Sequence, residues 1–512
     1  MFITTILVSS FIIIEERRST AIALTLKAPL PQHKRQWQTH CITSLPSFQG
    51  VGVTSISSIH SASVQKQSQK DINTSTCALY SIHVGTKRGS LKRITWSDAN
   101  ADADPDLAGG DHLYSNLHVH DYDHANKFTL KPYPIYSMIY LDAPQDNQIL
   151  CGGGDRYITV WKNVGVDSTS TDTRISSTTS VMNGKCQVVS QLGPHTGWVK
   201  DMVYYSPSSP SSSSGIQFLF SIGCNCIEIW KMSVIGDDGG IGTSKPKSNS
   251  DHCSWQHDSK LEIDSSLEMG CTLSSDLLCL GLGICKATSA RPSSQSQGRS
   301  DIDSHTRSAF LFAGGVDGRL HRWNMDGNGN ESGNGSFKIA NAESISAHCG
   351  RVSGILVCQV FNALISIGSD GMLLCKNMDN NLFKEWIGAS LDLNQAMGDF
   401  MEKSTHSDTD STVKISSLCC LRENINEVTL ALGFTSGLAV LVELHKYEGG
   451  SRLNVVDDSI VEVEKGSYIY ALKSIHKATY LTDGQMHDSY CITAGTSNGL
   501  YIWELAWKGP IN

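Results

Sequence analysis

No CxxC pair occurs anywhere in the 512 residues, although the chain holds 16 cysteines. That removes zinc ribbons and thioredoxin-like redox motifs, because Cys224-Asn-Cys226 and Cys419-Cys420 are spaced too closely for half of a zinc site. Most cysteines instead lie in apolar runs, as Cys279 and Cys285 do, where a thiol behaves as a small hydrophobe. Reduced thiols and an intracellular setting, cytoplasmic or nuclear, are therefore expected. Long hydrophobic runs are also missing. The opening "MFITTILVSSFIII" is apolar for only 14 residues, short of the ~20 that span a bilayer. It lacks a basic leader and is followed by "EERR", so no membrane association is expected. Positive charge is scarce as well: the net charge is −9. Residues 1–70 carry +5 and the remainder −14, and an acidic body repels phosphate backbones. Residues 17–70 hold no acid, a transit-peptide-like composition, so residues 1–36 read as a disordered or targeting extension. Organelle targeting by residues 1–70 stays open.

What the chain has is repetition. "ILCGGGDRYITVWKN" (149–163) pairs an apolar strand with a Gly/Asp turn and a second alternating strand. The plan recurs as "FLFSIGCNCIEIWKM" (218–232), "FLFAGGVDGRLHRWNM" (310–325), "ALISIGSDGMLLCKNM" (363–378), "LALGFTSGLAVLVEL" (430–444) and "CITAGTSNGLYIWEL" (491–505), and more weakly at 79–96. Another strand precedes each copy, for example "VKDMVYY" (199–205) and "YIYALKSI" (468–475). Seven units of at least three strands, with few helical patterns between them, predict an all-β, seven-bladed β-propeller.

"HTGWVKDMVYY…FLFSIGCNCIEIWKM" and "AHCGRVSGILV…ALISIGSDG" resemble WD repeats. The likeness covers roughly residues 40–507. It implies a buried His–Ser/Thr–Asp–Trp network in each intact blade. His195, Ser221 and Trp230 match three of those positions, with Asn225 in place of the acid. His348, Ser366 and Asp370 match another three, with Lys376 where Trp belongs. Asp155 and Trp161, Trp323 and Trp503 fill the acid and Trp positions elsewhere, while blades four and six have no clear histidine. Trp503 ends the last third strand, so the missing outer strand is expected from "WQTHCITSL" (37–45), as in the family. The propeller is then 37–507 and the C-terminal tail 508–512.

Chemistry-bearing motifs do not survive their context. "GTSNG" (495–499) matches a nucleophile elbow, but a strand follows it rather than a helix. "GGGDR" lacks the GK[ST] of a phosphate-binding loop. His112, His118, His120, Asp121, Asp123 and His124 cluster in "HLYSNLHVHDYDHANK", which reads better as a solvated outer strand than as a metal site. No catalytic residue, metal or cofactor is expected. Ser206 and Ser209 precede prolines and are candidate phosphosites.

In a four-stranded blade the second-to-third turns and the blade-to-blade connections share one face, here called the top. All long insertions are expected on the opposite, bottom face: 97–117, 164–187, 206–215, 233–262, 286–308, 326–343, 379–411 and 445–465. A compact top surface is the better platform for affinity. Its candidate contacts are Trp198, Arg351, Tyr133, Arg156, Lys87, Arg88, Asp317, Asp370 and Asn498, with Trp198 foremost because Trp, Tyr and Arg anchor interfaces. The expected function is a non-catalytic scaffold that binds protein partners within a larger complex. The alternatives are a subunit of an RNA-processing or other nucleic-acid-associated complex, a ubiquitin-ligase substrate receptor, and a propeller enzyme. Direct nucleic-acid binding is disfavoured by the charge. "WKNV", "WKMS", "WNMD" and "WELA" lack the Arg of ligase receptors, and the inner strands read as apolar, against an enzyme.

Overall fold

The computed structural model describes residues 36–57, 60–66, 75–97, 118–122, 133–141, 148–164, 185–206, 217–234, 253–262, 276–286, 307–326, 338–378, 388–397, 414–447, 450–456, 459–482 and 485–510. These form seven antiparallel sheets, each built on a path of four strands. The inner strands are Val53–Ile56, Ile135–Leu141, Val199–Tyr205, Leu277–Lys286, Val352–Cys358, Ile415–Glu423 and Ile469–Thr482. Each is followed by a hairpin, such as Gln217–Gly223 with Cys226–Val234 in blade 3, that supplies the second and third strands. The outer strands are His118–Asp121, Lys185–Leu192, Cys253–Glu262, Lys338–Ser346, Gly388–Asp392 and Gly450–Val455, and in blade 7 the N-terminal strand Gln36–Ser44. That last strand pairs antiparallel with Leu500–Pro510, joining the two ends of the ring as the sequence leads one to expect. Residues 508–510, assigned above to the tail, belong to the blade 7 sheet: Lys508 pairs with Gln36, and Gly509 and Pro510 with Met486 and Gln485.

Core and closure have one cause. Each sheet is apolar on both faces and must bury both against neighbours. Seven separate apolar clusters result, one in each gap between adjacent blades. The third-strand tryptophans sit in these gaps: Trp161 between blades 1 and 2, Trp230 between 2 and 3, Trp323 between 3 and 4, and Trp503 between 6 and 7. Pairing register puts Lys376 opposite Leu364, the position that Trp230 holds opposite Leu219, and Lys376 is buried there.

Six of the seven second-to-third turns hold a left-handed residue: Gly89, Gly318, Gly371 and Gly437, with Arg156 at φ 69° in blade 2 and Cys224 at φ 61° in blade 3, the two non-glycines at a cost of about 1–2 kcal/mol each.

One feature repeats seven times. In every inner strand the register slips at the second residue, making a β-bulge at Thr54, Tyr136, Lys200, Leu278, Ser353, Ser416 and Tyr470. The residue before each bulge is buried, and from Ile135 and Ile469 its carbonyl accepts bonds from the preceding blade. Thr54 and Ser55 hydroxyls donate to the Ile135 oxygen at 2.6 and 2.9 Å, and Ser416 to that of Ile469 at 2.7 Å. Bulges re-aim side chains next to functional sites; here the bulged Thr54 and Ser416 reach the next blade's carbonyl, whereas Tyr136, Lys200 and Tyr470 come within reach of residues of other blades.

The expected placement of insertions needs correcting. Segments 233–262, 379–411 and 445–465 were read as bottom loops, yet they contain the outer strands Cys253–Glu262, Gly388–Asp392 and Gly450–Val455. The segments joining blade 1 to 2, 3 to 4 and 5 to 6, residues 122–134, 263–276 and 393–414, are therefore long. Outer strands are paired on one edge only and half solvated, so they carry little of the apolar alternation that marks inner strands. Among the described residues, no helix is long and apolar enough to cross a membrane.

Candidate functional site

Two buried networks are present as the resemblance implies. His195 donates from Nδ1 to the Arg156 carbonyl at 3.1 Å, which leaves Nε2 to accept the Ser221 hydroxyl at 2.7 Å. Trp230 Nε1 donates to the same Ser221 oxygen at 3.0 Å. In blade 5, His348 bonds Ser366 through Nε2 (2.9 Å) and Asp370 through Nδ1 (3.2 Å). Asp370 also accepts from the amides of Cys349 and Met372. Burial pushes the pKa of His195 and His348 down, as it does for His321 in blade 4. The depressed groups resist protonation when folded, so the unfolded chain binds more protons as the pH drops below about 6.5. Their stability contribution is full above that value and is lost as pH falls through the folded pKa. The melting temperature should decline with acidification, and less steeply in His195→Gln; an unchanged slope in that variant would remove His195 from the account. Ser221→Ala should cost about 1–3 kcal/mol, by orphaning both His195 and Trp230.

The mouth of the channel gathers residues from four blades. Trp198 is 52% exposed, and its ring stacks on Tyr136 with centroids 5.8 Å apart. Lys200, bulged from the inner strand of blade 3, places Nζ 4.3 Å from the Tyr136 centroid and 4.5 Å from that of Trp198. Tyr468 and Tyr470 of blade 7 stack at 4.5 Å. Arg351 of blade 5 lies within electrostatic reach of both Lys200 and Tyr468, and Tyr470 within reach of Tyr136. Burial lowers the Lys200 pKa, opposed by Asp276 and reinforced by the Arg351 charge. The inner strands are thus polar at their top ends, which corrects the expectation that they are apolar throughout. Lower down, the channel holds Asp201 of blade 3 within reach of Lys473 of blade 7. Trp198 and Arg351 are among the candidates the sequence offers; Tyr136, Lys200, Tyr468 and Tyr470 are not. Tyr136, Lys200 and Tyr470 share only a positional signal, each being second in an inner strand, and Tyr468 stands just before one.

The remaining top-face candidates divide into two groups. Lys87, Arg88, Arg156, Tyr133 and Asn498 are exposed on turns and connections around the mouth. Asp317 accepts the Arg319 amide (3.1 Å) and Asp370 serves the His348 network, so both are tied into their own turns. Asn498 donates to Ser467 Oγ at 2.7 Å. Asp155 accepts the Tyr157 amide at 3.2 Å.

Ser497 accepts the Tyr468 amide (3.2 Å) and precedes the strand Leu500–Pro510, so its surroundings are those of a hairpin turn. Of the histidine-rich segment, His118 is exposed, Asp121 pairs with Lys92 at 3.0 Å, the His120 side chain and residues 112, 123 and 124 lie outside the described set. Two triads elsewhere bring possible metal ligands within 4.8 Å of one another, Cys358–Cys420–Glu423 and Glu427–Glu443–His445. Both have protein partners already: Glu423 accepts the Val360 and Phe361 amides, and Glu443 accepts Trp37 Nε1 at 3.2 Å. Ten cysteines, Cys224, Cys349 and Cys420 among them, are free thiols. Ser206 is exposed at the bottom end of the blade 3 inner strand; Ser209 lies outside the described residues.

The blade count and the two His–Ser networks fit a divergent WD40-repeat propeller. No family model matches the chain, and no curated protein matches it. Among solved structures it is similar to U3-55K, at 13% identity over 91% of this chain and 99% of that one, with a TM-score of 0.46.

Proposed function

We propose that this divergent WD40-type propeller is a non-catalytic scaffold that docks a protein partner over the top mouth of its channel, as one subunit of a larger assembly. The fold supports a protein-interaction role in general terms. What favours the mouth is one observation: Tyr136, Trp198, Lys200, Arg351, Tyr468 and Tyr470 converge there from four blades, with Trp198 half exposed. These are the side-chain types that dominate interface energies. Stacking already holds them in place, so docking costs little side-chain entropy.

Affinity purification of the tagged chain from its own cells, beside a Trp198→Ala, Arg351→Ala double variant, tests this. A defined set of proteins recovered by the parent and lost by the double variant is expected. An Ile425→Ser control, altering an exposed bottom-face turn, should keep the set. Equal recovery by parent and double variant would move the interface away from the mouth.

A further inference from the structure

We infer that the mouth recognises a carboxylate side chain, so that the partner presents an acidic peptide segment with apolar residues beside the acid. The inference rests on reading the mouth as the docking surface, and it specifies what that surface selects.

Lys200 and Arg351 are two cations close enough to feel each other across the opening. The ammonium of Lys200 lies against both the Tyr136 and the Trp198 ring, at the side of their stack. The ring faces hold it by cation–π attraction and accept no conventional hydrogen bond, so its N–H donors remain for a ligand. An anion placed between Lys200 and Arg351 relieves their mutual repulsion and meets donors already positioned for it. A neutral acceptor would meet the donors without relieving the repulsion.

The charge count selects among anions. Asp276 is the one acid among the described residues acting on Lys200, so the trio Lys200, Arg351 and Asp276 sums to +1. One carboxylate balances that. A phosphoryl group, carrying about −1.5 to −2 near neutrality, would overshoot it. Four further carboxylates of the top-face turns spend their oxygens on their own turns or networks: Asp155 accepts the Tyr157 amide, Asp317 the Arg319 amide, Asp370 bonds His348 and Glu464 accepts the Thr496 hydroxyl. Around the mouth the exposed turn cations Lys87, Arg88 and Arg156 extend the positive field, in a chain whose residues beyond 70 sum to −14. A local reversal of sign on an acidic body steers an acidic segment to this face. The faces of Trp198, Tyr468 and Tyr470 supply apolar walls for its neighbours.

The test begins with a displayed library of random 12-residue peptides panned on the full chain, with the Trp198→Ala chain as counter-selection. Enrichment of Asp or Glu at a fixed position beside Leu, Ile or Phe is expected. The enriched peptide should lose affinity about tenfold or more when its acid becomes Gln, and again on Lys200→Met or Arg351→Met chains, while Lys200→Arg retains binding. Thermal melts verify that each variant is folded. Enriched peptides without acids, or affinity indifferent to both Met variants, would overturn the carboxylate inference while leaving the docking surface standing. Tighter binding of a phosphoserine version of the peptide would overturn it in favour of phosphate recognition. No enrichment over the Trp198→Ala chain would overturn both readings.

Discussion

Asp201→Ala should lower the stability of the protein by about 2–5 kcal/mol, the largest loss expected from a single side chain outside the apolar gaps. Oδ1 of Asp201 accepts from Ser137 Oγ of blade 2 at 3.1 Å and from its neighbour Met202 N at 2.8 Å. Oδ2 accepts from Leu280 N of blade 4 at 2.9 Å. One carboxylate therefore ties three consecutive blades at the channel wall. Desolvation raises its pKa, and the three bonds together with Lys473 only partly offset that. Truncation leaves the Leu280 amide and the Ser137 hydroxyl without their acceptor. Asp201→Asn keeps one oxygen but turns an amide N–H toward the Leu280 N–H, so its loss should be intermediate. The pH dependence has a defined sign. A carboxyl whose folded pKa is raised binds its proton more tightly when folded, so this group makes stability rise as pH falls through the folded pKa toward about 3.9. Chemical denaturation of parent, Asn and Ala chains at several pH values measures all of this. Coincident midpoints for the three would remove Asp201 as an inter-blade tie.

A chain lacking residues 1–44 should fail to give a folded monomer. Deletion strips the partner from Leu500–Pro510, whose Trp503, Leu505 and Trp507 are buried, and leaves its edge unpaired. It also removes Trp37, which packs into the gap between blades 6 and 7 and donates to Glu443 at 3.2 Å. Glu443 lies on the third strand of blade 6, opposite Thr429, so this bond ties the closing strand to the neighbouring blade. Exposed edges and uncovered apolar faces associate. Size-exclusion chromatography with light scattering should show aggregates or exchanged oligomers, and a synthetic 36–45 peptide supplied in trans should recover part of the monomer. A monodisperse monomer melting like the parent would show that closure contributes little.

The blades were legible because their middle hairpins obey two strong local rules at once, period-two apolarity and a left-handed turn residue. Gly318 and Gly371 punctuate "VDGR" and "SDGM" as turn chemistry demands. The outer strands were not legible for the opposite reason. Cys253–Glu262 and Gly450–Val455 face water over much of their surface, and their alternation is diluted by Ser, Asp, Lys and Asn. The mouth was half legible. Trp198 announces itself by following "GPHTG", but Lys200 and Tyr136 acquire their aim from a bulge, which has no local signature. Tyr468 joins them only because blade 7 comes round to meet blade 5.

The seven bulges separate two kinds of information in one short stretch of chain. Around each bulged position, the first residue is an apolar side chain locked into a gap, from Val53 through Ile469. At the second position stand Thr, Tyr, Lys, Leu, Ser, Ser and Tyr in successive blades, a range of size and polarity that the same backbone accepts without change. Framework and vocabulary are thus written in adjacent letters. A descendant of this chain, or a designer, could respell Tyr136, Lys200, Leu278, Ser353 and Tyr470 and acquire a new correspondent while inheriting the same ring.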